Sequence, residues 1–597
     1  MLLICKQIFS ILNKKEKLQV LILFSGIVIR GIVEVAGVAS IMPFIAVVSN
    51  PSVIHSNKYL FLAYTTLGFQ SSRTFLIALG VCVFCFIIFN NTLSALTEWF
   101  LIRFTSLRGH SLARRLFAKY LAQPYLFFLN ENTSKLGANI LNEVSNFLKG
   151  ILRPFLEMIT RVIITLFIFA LLLFVDPVLA IIVALTLGSA YFFIYYGVRK
   201  KLAEIGKKRV QGSRRKFLYI NEALTGIKDI KVGRCEGYFF RAFSKSSYEV
   251  SLFQATHQIV SQIPRYALEI IAFGGILLIT LYYVIAEKNI EKTIPLVALY
   301  AFAGYRLMPA LQAVFSGVAT VRFNLALLGR LSEDLDQKQY PVHDIQSWNT
   351  IIEPLKIENA IELNGVHFFY PDGTQVLHSL DLHIPAKTTV GFAGSTGAGK
   401  TTLIDIILGL FTPQQGKLMV DGTVIDACNV RNWQRNIGYV PQQIFLSDQS
   451  VRQNIAFGID DDKIDMNAVE RASRISHLHD FIVKELPHGY DTIIGERGVK
   501  LSGGQRQRIG IARALYHDPE VLILDEATSS LDNITESIVI DAIRKLAGEK
   551  TILMIAHRLT TLIDCDIIHY LKKGKIVDSG TYDNLMTTCP EFRKNQR

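Results

Sequence analysis

Apolar positions are spread unevenly along this chain. Before about residue 325 they form long runs, and beyond it they alternate with polar positions in short segments. A helix that crosses a bilayer needs about 20 mostly apolar residues. Runs of that length occupy Leu18–Val48, Phe75–Ile102, two stretches between Pro154 and Val198, Ile259–Val284 and Thr293–Thr320. Asp176-Pro177 supplies a tight turn between the third and fourth, so the pattern predicts six transmembrane helices in residues 1–325. The connections at about 103–153 and 199–258 are too long for turns. Their heptad-like apolar spacing predicts helices that continue from the membrane into the cytosol. Each must reverse below the membrane, with candidate turning points at Phe127–Gly137 and Asn221–Ile230. The segment Pro51–Gln70 holds Tyr59, Leu60, Phe61, Leu62, Tyr64 and Leu67 with few charges. It suits a short amphipathic helix on the membrane surface or an ordinary structured loop.

Residues 326–356 are expected to be a linker, because Ser332–Pro354 is polar and carries Pro341 and Pro354. The remainder, 357–597, has the alternating strand and helix pattern of a soluble α/β domain. Val366–Tyr370 alternates as a strand does, and Thr389–Ala393, Val521–Leu524 and Thr551–Ala556 read as buried strands. Thr402–Leu408 and Arg506–Leu515 read as helices.

Composition agrees with a membrane domain fused to a soluble one. Of 597 residues, 50% are hydrophobic and 19% charged, below the roughly 25% charge of an average soluble protein. The net charge of +13 does not indicate nucleic acid, because the basic residues flank the apolar runs. Lys14, Lys15 and Lys17 precede the first run, Arg103, Arg108, Arg114 and Arg115 follow the second, and a cluster from Arg199 to Lys216 follows the fourth. By the positive-inside rule both termini and both long loops face the cytoplasm. The seven scattered cysteines suggest no disulfide framework. Cys82 and Cys85 lie within an apolar helix and are expected to be buried packing residues. The first run is long and lacks a small-residue cleavage site, so it should remain as a membrane helix rather than be removed as a signal.

The candidate chemistry begins at Gly394-Ser395-Thr396-Gly397-Ala398-Gly399-Lys400-Thr401, between a strand and a helix. Glycines there let backbone N–H groups wrap around phosphate oxygens, and the helix N-terminus adds a positive dipole end. Lys400 would reach the β- and γ-phosphates, and the Thr401 hydroxyl would ligate Mg²⁺. Thr402 completes the run as a further phosphate-binding position. Tyr370 is a candidate to stack on a purine. Gln442, after a strand-like Ile437–Tyr439, is a candidate Mg²⁺ ligand and γ-phosphate sensor. Ser502, Gly503, Gly504 and Gln505 open a helix and form a second anion site. Asp525 ends an apolar strand as a Mg²⁺ anchor, Glu526 is the candidate general base for water, and His557 ends another strand within reach of a γ-phosphate.

Charged residues inside the apolar runs are costly and functional by default. Arg30 and Glu34, Arg153 and Glu157, Glu157 and Arg161, and Arg265 and Glu269 are each four apart, which permits neutralisation on one helix face. Arg306 has no acid at that spacing. It is expected to line a polar cavity that receives an anionic group, with Arg265 as second candidate; pairing with another helix and snorkelling stay open.

Phosphate loop, Gln442, Leu501-Ser502-Gly503-Gly504-Gln505, Asp525-Glu526 and His557, in that order, resemble the ATP-binding cassette (ABC) transporters over the whole length, in the arrangement of an exporter half-transporter. The resemblance implies ATP and Mg²⁺ as cofactors. It also implies a dimer, expected to be a homodimer with a heterodimer left open, in which the phosphate loop of one subunit and the signature Leu501–Gln505 of the other clamp each ATP. Gly495-Glu496-Arg497-Gly498 would contact the intracellular loops, and Ser530-Leu531-Asp532 would cross the dimer interface. Ala39–Ile45, Gly304–Pro309, Pro264-Arg265 with Glu269, and the segment 51–70 are similar to the bacterial flippases for lipid-linked oligosaccharides. At Asn90 the chain has a neutral residue where that group carries a basic one. The expected activity is an ATPase of the cytoplasmic membrane that moves an anionic, pyrophosphate-linked lipid saccharide; the alternative is export of lipids, drugs or peptides. A soluble cassette protein of translation or DNA repair is disfavoured by the six spans. A non-hydrolysing membrane receptor is disfavoured by Glu526 and His557.

Overall fold

The computed structural model describes residues 2–11, 13–175, 177–285, 290–336, 352–495, 498–526, 533–556 and 558–594. His557, Asp176, Glu496-Arg497, Ser530-Leu531-Asp532 and the linker residues 337–351 lie outside the described residues. Contacts divide the chain into two units. One comprises Met1–Gln123 and Glu131–His343, and the other Pro124–Asn130 and Asp344–Arg597.

The first unit is helical. Its long helices are α1 (Lys14–Ser49), α2 (Ser72–Leu121), α3 (Arg153–Val175), α4 (Pro177–Thr225), α5 (Glu236–Ile285) and α6 (Ile290–Asp336). Among the described residues five helical stretches are long and apolar enough to cross a membrane, Lys14–Ser49, Ser72–Leu121, Lys135–Val175, Ala180–Thr225 and Ala301–Gly329. The run at 259–284 lies within α5. Large apolar side chains stand outward on these helices, as Leu21, Phe84, Leu185 and Ile270 do, which suits a hydrocarbon solvent rather than water. Cys82 and Cys85 share that outward face of α2, so the expectation of buried packing is corrected: both are exposed. An apolar residue in a membrane helix satisfies its surroundings equally well against lipid.

Two boundaries run past the sequence reading. Helix α6 runs on to Asp336, past the expected linker start at 326, because Leu327 and Leu328 still bury an apolar face. The turn after α4 begins inside the candidate stretch Asn221–Ile230, where α4 breaks at Gly226, and extends past it: a short helix Ile227–Gly233 follows, and Arg234 takes the left-handed region at φ 50° before α5. Asp176, the expected centre of the turn before Pro177, falls outside the described residues. The segment 51–70 forms helices Val53–Ser56 and Lys58–Thr66, the second capped by the Asn57 side chain. Leu60, Ala63 and Tyr64 pack on a cluster of Val47, Ile54 and Phe75, while Tyr59, Leu62 and Leu67 remain exposed.

Where α4, α5 and α6 extend past the apolar runs they meet closely. A Cβ at Gly206 of α4 would lie 2.0 Å from the Phe323 carbonyl oxygen of α6, so only glycine allows the approach. Arg209 Nη2 donates to Asn324 Oδ1 at 2.9 Å, and the His257 ring of α5 stacks on Phe323 at 4.4 Å between centroids.

The second unit carries two sheets. Strands β1 (Ala360–Phe369), β2 (Gln375–Pro385), β4 (Gln415–Val420) and β5 (Thr423–Val424) form an antiparallel sheet in the order β2-β1-β4-β5. Strands β3 (Thr389–Gly394), β6 (Ile437–Val440), β7 (Val521–Asp525), β8 (Thr551–Ile555), β9 (Ile567–Lys572) and β10 (Lys575–Gly580) form the other, ordered β10-β9-β3-β8-β7-β6. It is parallel except for the edge strand β10. The parallel strands β7 and β8 are buried along their whole length, as their unbroken apolar runs require. Tyr125, from the short helix Tyr125–Asn130, stacks on Phe411 at 5.9 Å within this unit.

Candidate nucleotide site

The phosphate loop leaves the C-terminal end of β3 in the middle of the parallel sheet, the position where open α/β sheets bind ligands. Gly394, Gly397 and Gly399 have φ of 151°, 78° and 103°, values that other residues rarely adopt. A Cβ at Gly394 would also meet the Leu571 carbonyl oxygen at 2.3 Å. The loop then enters α7 (Lys400–Ile407), which is buried from Thr402 onward. The far end of α7 is held by Trp433, a fully buried side chain whose indole N–H donates to the Ile407 carbonyl at 2.6 Å.

Lys400 folds over the loop and donates to the carbonyl oxygens of Gly394 at 2.7 Å and Ser395 at 3.1 Å. Burial pulls its ammonium below the ordinary lysine range, opposed by the nearby charges of Glu526 and Asp525. Asp525 ends β7, where it pairs in parallel register with Ile555 of β8, and Glu526 follows directly. Glu526 takes the left-handed region at φ 49°, with its N–H donating to the Ile555 carbonyl at 3.0 Å. A glutamate gains nothing locally from that conformation, so the surrounding sheet imposes it. Gln442, two residues past β6, donates from Nε2 to Glu526 Oε2 at 2.6 Å. The structure therefore brings Lys400, Gln442, Asp525 and Glu526 to one sheet edge.

Tyr370 follows β1, and its hydroxyl bonds the Thr402 hydroxyl at 3.1 Å while its ring meets Phe368 and Phe411 edge-on. Ser502 caps α8 (Gly503–Leu515) in a capping box with Gln505. Its hydroxyl accepts from the Gln505 N–H at 3.2 Å, which leaves the hydroxyl proton to donate elsewhere. Among the described residues no hydrogen bond joins Ser502–Gln505 to the phosphate loop.

Two groups escaped the sequence reading. Asp405, on α7, is buried, and burial followed by the charge of Asp525 raises its carboxyl to about 7. Tyr439 donates its hydroxyl to Asp525 Oδ2 at 3.3 Å. An acid inside the apolar run Leu403–Leu408 was the available signal for the first. A strand tyrosine carries no such signal.

In the membrane unit Arg306 Nη1 of α6 meets Glu34 Oε1 of α1 at 3.3 Å, and Arg30 Nε lies 3.7 Å from Glu34 Oε2. Pairing with another helix, left open above, is what the structure has; the Glu34 side chain is 4% exposed and that of Arg306 20%. Arg265 pairs with Glu269 at 2.8 Å, and Arg153 with Glu157 at 2.6 Å.

Residues 377–529 match the family profile "ABC transporter", and residues 21–303 match "ABC transporter transmembrane region". The chain is 30% identical over 536 residues to the leukotoxin translocation ATP-binding protein LktB of Bibersteinia trehalosi, covering 87% of this chain and 71% of that one. It is 28% identical over 485 residues to an ATP-dependent lipid A-core flippase of Ralstonia nicotianae (strain ATCC BAA-1114 / GMI1000), covering 80% and 79%. Its fold is similar to that of a bacterial Atm1-family ABC exporter with ATP bound, at a TM-score of 0.78 and 20% identity over 96% of this chain and 98% of that one. A helical membrane domain joined to a nucleotide-binding domain, with a phosphate loop at the centre of its parallel sheet, thus has a family: the chain belongs to the ABC transporters, as an exporter-type half-transporter whose ATPase is coupled to transport.

Proposed function

We propose that this transporter flips an anionic, pyrophosphate-linked lipid saccharide across the cytoplasmic membrane. The observation that carries the reading is the cluster Arg30, Glu34 and Arg306, two cations and one acid joined across α1 and α6. An excess cation at that depth is costly unless an anion meets it. Arg306 keeps partial exposure, so a pyrophosphate group has a side from which to approach it. Arg265 is the weaker candidate, since Glu269 already neutralises it.

In the nucleotide domain the proposed roles follow from position. Backbone N–H groups from Gly394 to Thr401, with Thr402, hold the ATP phosphates, and Lys400 exchanges its two loop carbonyls for phosphate oxygens. Tyr370 packs against the base. The oxygen donors Thr401, Gln442 and Asp525 have the hard-ligand chemistry that Mg²⁺ requires, and so few protein ligands suit an ion that keeps waters and phosphate oxygens. When bound, the ion would neutralise charge on the phosphates. Glu526 orients and deprotonates the attacking water, Gln442 holds the Glu526 carboxylate in place, and His557 steadies the γ-phosphate. Ser502, Gly503, Gly504 and Gln505 complete the site of a second copy, so the working unit is a homodimer.

Reconstitution into liposomes with a fluorescent pyrophosphate-linked saccharide, beside a cationic dye, tests the substrate. ATP-dependent movement of the saccharide alone is expected. Movement of the dye alone would favour the second reading, export of lipids, drugs or peptides. The neutral Asn90 and relatives named for leukotoxin translocation and for lipid A-core flipping favour that reading.

A further inference from the structure

A groove of about 520 Å³ runs between α1 and α2, a size usual for a ligand site. Its walls are apolar, among them Ile29, Leu93 and Phe100, and one end is closed by Gln19, Arg103 and Arg108. Leu93 and Arg108 are 15 residues apart on one continuous helix, about 22 Å at 1.5 Å per residue. That is the depth of one leaflet with its headgroups, roughly 20–22 Å. Arg103 is the first base after the apolar run of α2, which puts the polar end at the cytoplasmic interface. Trp99 and Phe100 are half-exposed beside it, as interfacial aromatics are.

The two arginines differ. Arg108 is bound to Glu16 at 2.7 Å, so its charge is met. The Arg103 guanidinium stands 5.1 Å over the Trp99 ring, and no carboxylate pairs with it among the described residues. At the middle of the groove Gly26 has nothing within 4 Å of where a Cβ would be, so the space is not filled by this chain.

We infer that this groove binds an anionic glycerophospholipid of the cytoplasmic leaflet, one acyl chain along α1 and α2 and the phosphate on Arg103. The site is separate from the Arg306 cluster and does not depend on which substrate is carried. Charge selects the lipid class, because one basic residue near the surface contributes about fivefold in affinity for anionic lipid. Gln19 supplies a neutral donor for the remaining headgroup oxygens.

Trp99 reports occupancy directly. The full-length protein is placed in nanodiscs containing brominated phosphatidylglycerol or brominated phosphatidylcholine, and the Trp99 signal is isolated by subtracting Trp99→Phe protein. Phosphatidylglycerol should quench Trp99 at about fivefold lower mole fraction than phosphatidylcholine. Arg103→Ala should abolish that ratio. Gly26→Leu should weaken quenching by both lipids, and retained ATPase in either variant shows that the protein is folded. Equal quenching by the two lipids in the unaltered protein would overturn the proposal. So would displacement by soluble glycerol phosphate with no effect of Gly26→Leu, which would make the groove a phosphate site alone. Shielding of Trp99 from both lipids, with crosslinking between subunits through a cysteine placed at Phe100, would make the occupant a second copy and overturn it as well.

Discussion

Gln442 and Glu526 are 84 positions apart in sequence, yet Nε2 of one donates to Oε2 of the other at 2.6 Å. The contact uses one lobe of the carboxylate and fixes its rotation. Glu526 is also held at a positive φ by its N–H bond to Ile555. The base proposed above is thereby aimed before a water arrives.

Glu526→Gln should lower steady ATP turnover by about 10²- to 10⁴-fold, the usual contribution of a positioned base. Nucleotide binding should persist, since the phosphate loop is untouched. Turnover in a phosphate-release assay and binding of a fluorescent ATP analogue check the two halves. Near-normal turnover would take Glu526 out of the mechanism.

Arg306→Ala should abolish transport and leave basal ATPase in place. It also strips Glu34 of a partner, and breaking a buried pair costs about 3–5 kcal/mol in soluble cores. Glu34 is also the partner of the buried Arg30, so the triple variant Arg30→Met/Glu34→Gln/Arg306→Met removes all three charges together. It should recover thermal stability and still fail to transport. Recovery of transport along with stability would make Arg306 a structural residue.

Asp405 gives a pH dependence. Its carboxyl is raised from 3.8 to about 7 in the folded protein, so the folded state holds a proton that the unfolded chain releases at lower pH. Stability from this group is complete below pH 3.8 and is lost as pH rises through about 7. Asp405→Asn should therefore match the unaltered protein near pH 4, gain on it up to neutrality, and level off above pH 8. The gain is roughly 4 kcal/mol at most. Thermal unfolding of the two proteins across that range checks it; a gain that is constant with pH would assign the effect to packing.

Gly206→Ala should destabilise the membrane unit more than an ordinary overpacking change of about 1–3 kcal/mol. The new methyl would meet a backbone carbonyl, which cannot rotate away. Yield of folded protein by size-exclusion chromatography, with Gly26→Ala as a control at an open position, measures the difference.

The nucleotide site was legible because its parts are contiguous. Gly394–Thr401 sits between a strand and a helix whose apolar runs announce them, and Ser502 with Gln505 writes a capping box into adjacent positions. Contacts between distant segments were not. Arg306 has no acid within a helical turn, and its partner Glu34 lies 272 residues away, so periodicity on α6 says nothing of it. The end of α6 was hidden for a related reason: Leu327 and Leu328 continue its buried face, and the polar residues after them masked that continuation. Cys82 and Cys85 failed because a membrane helix has no polar outside to contrast with its inside, so apolar character does not report burial.

At Gly206 and Phe323 two main chains touch with no side chain interposed. Rotamer changes cannot ease that junction, and sliding one rod past the other would drive carbonyl into Cα. The two helical extensions must then swing as a single spar. Bending has to be absorbed where the main chain is already interrupted, and Gly226, at the foot of one limb, is such an interruption.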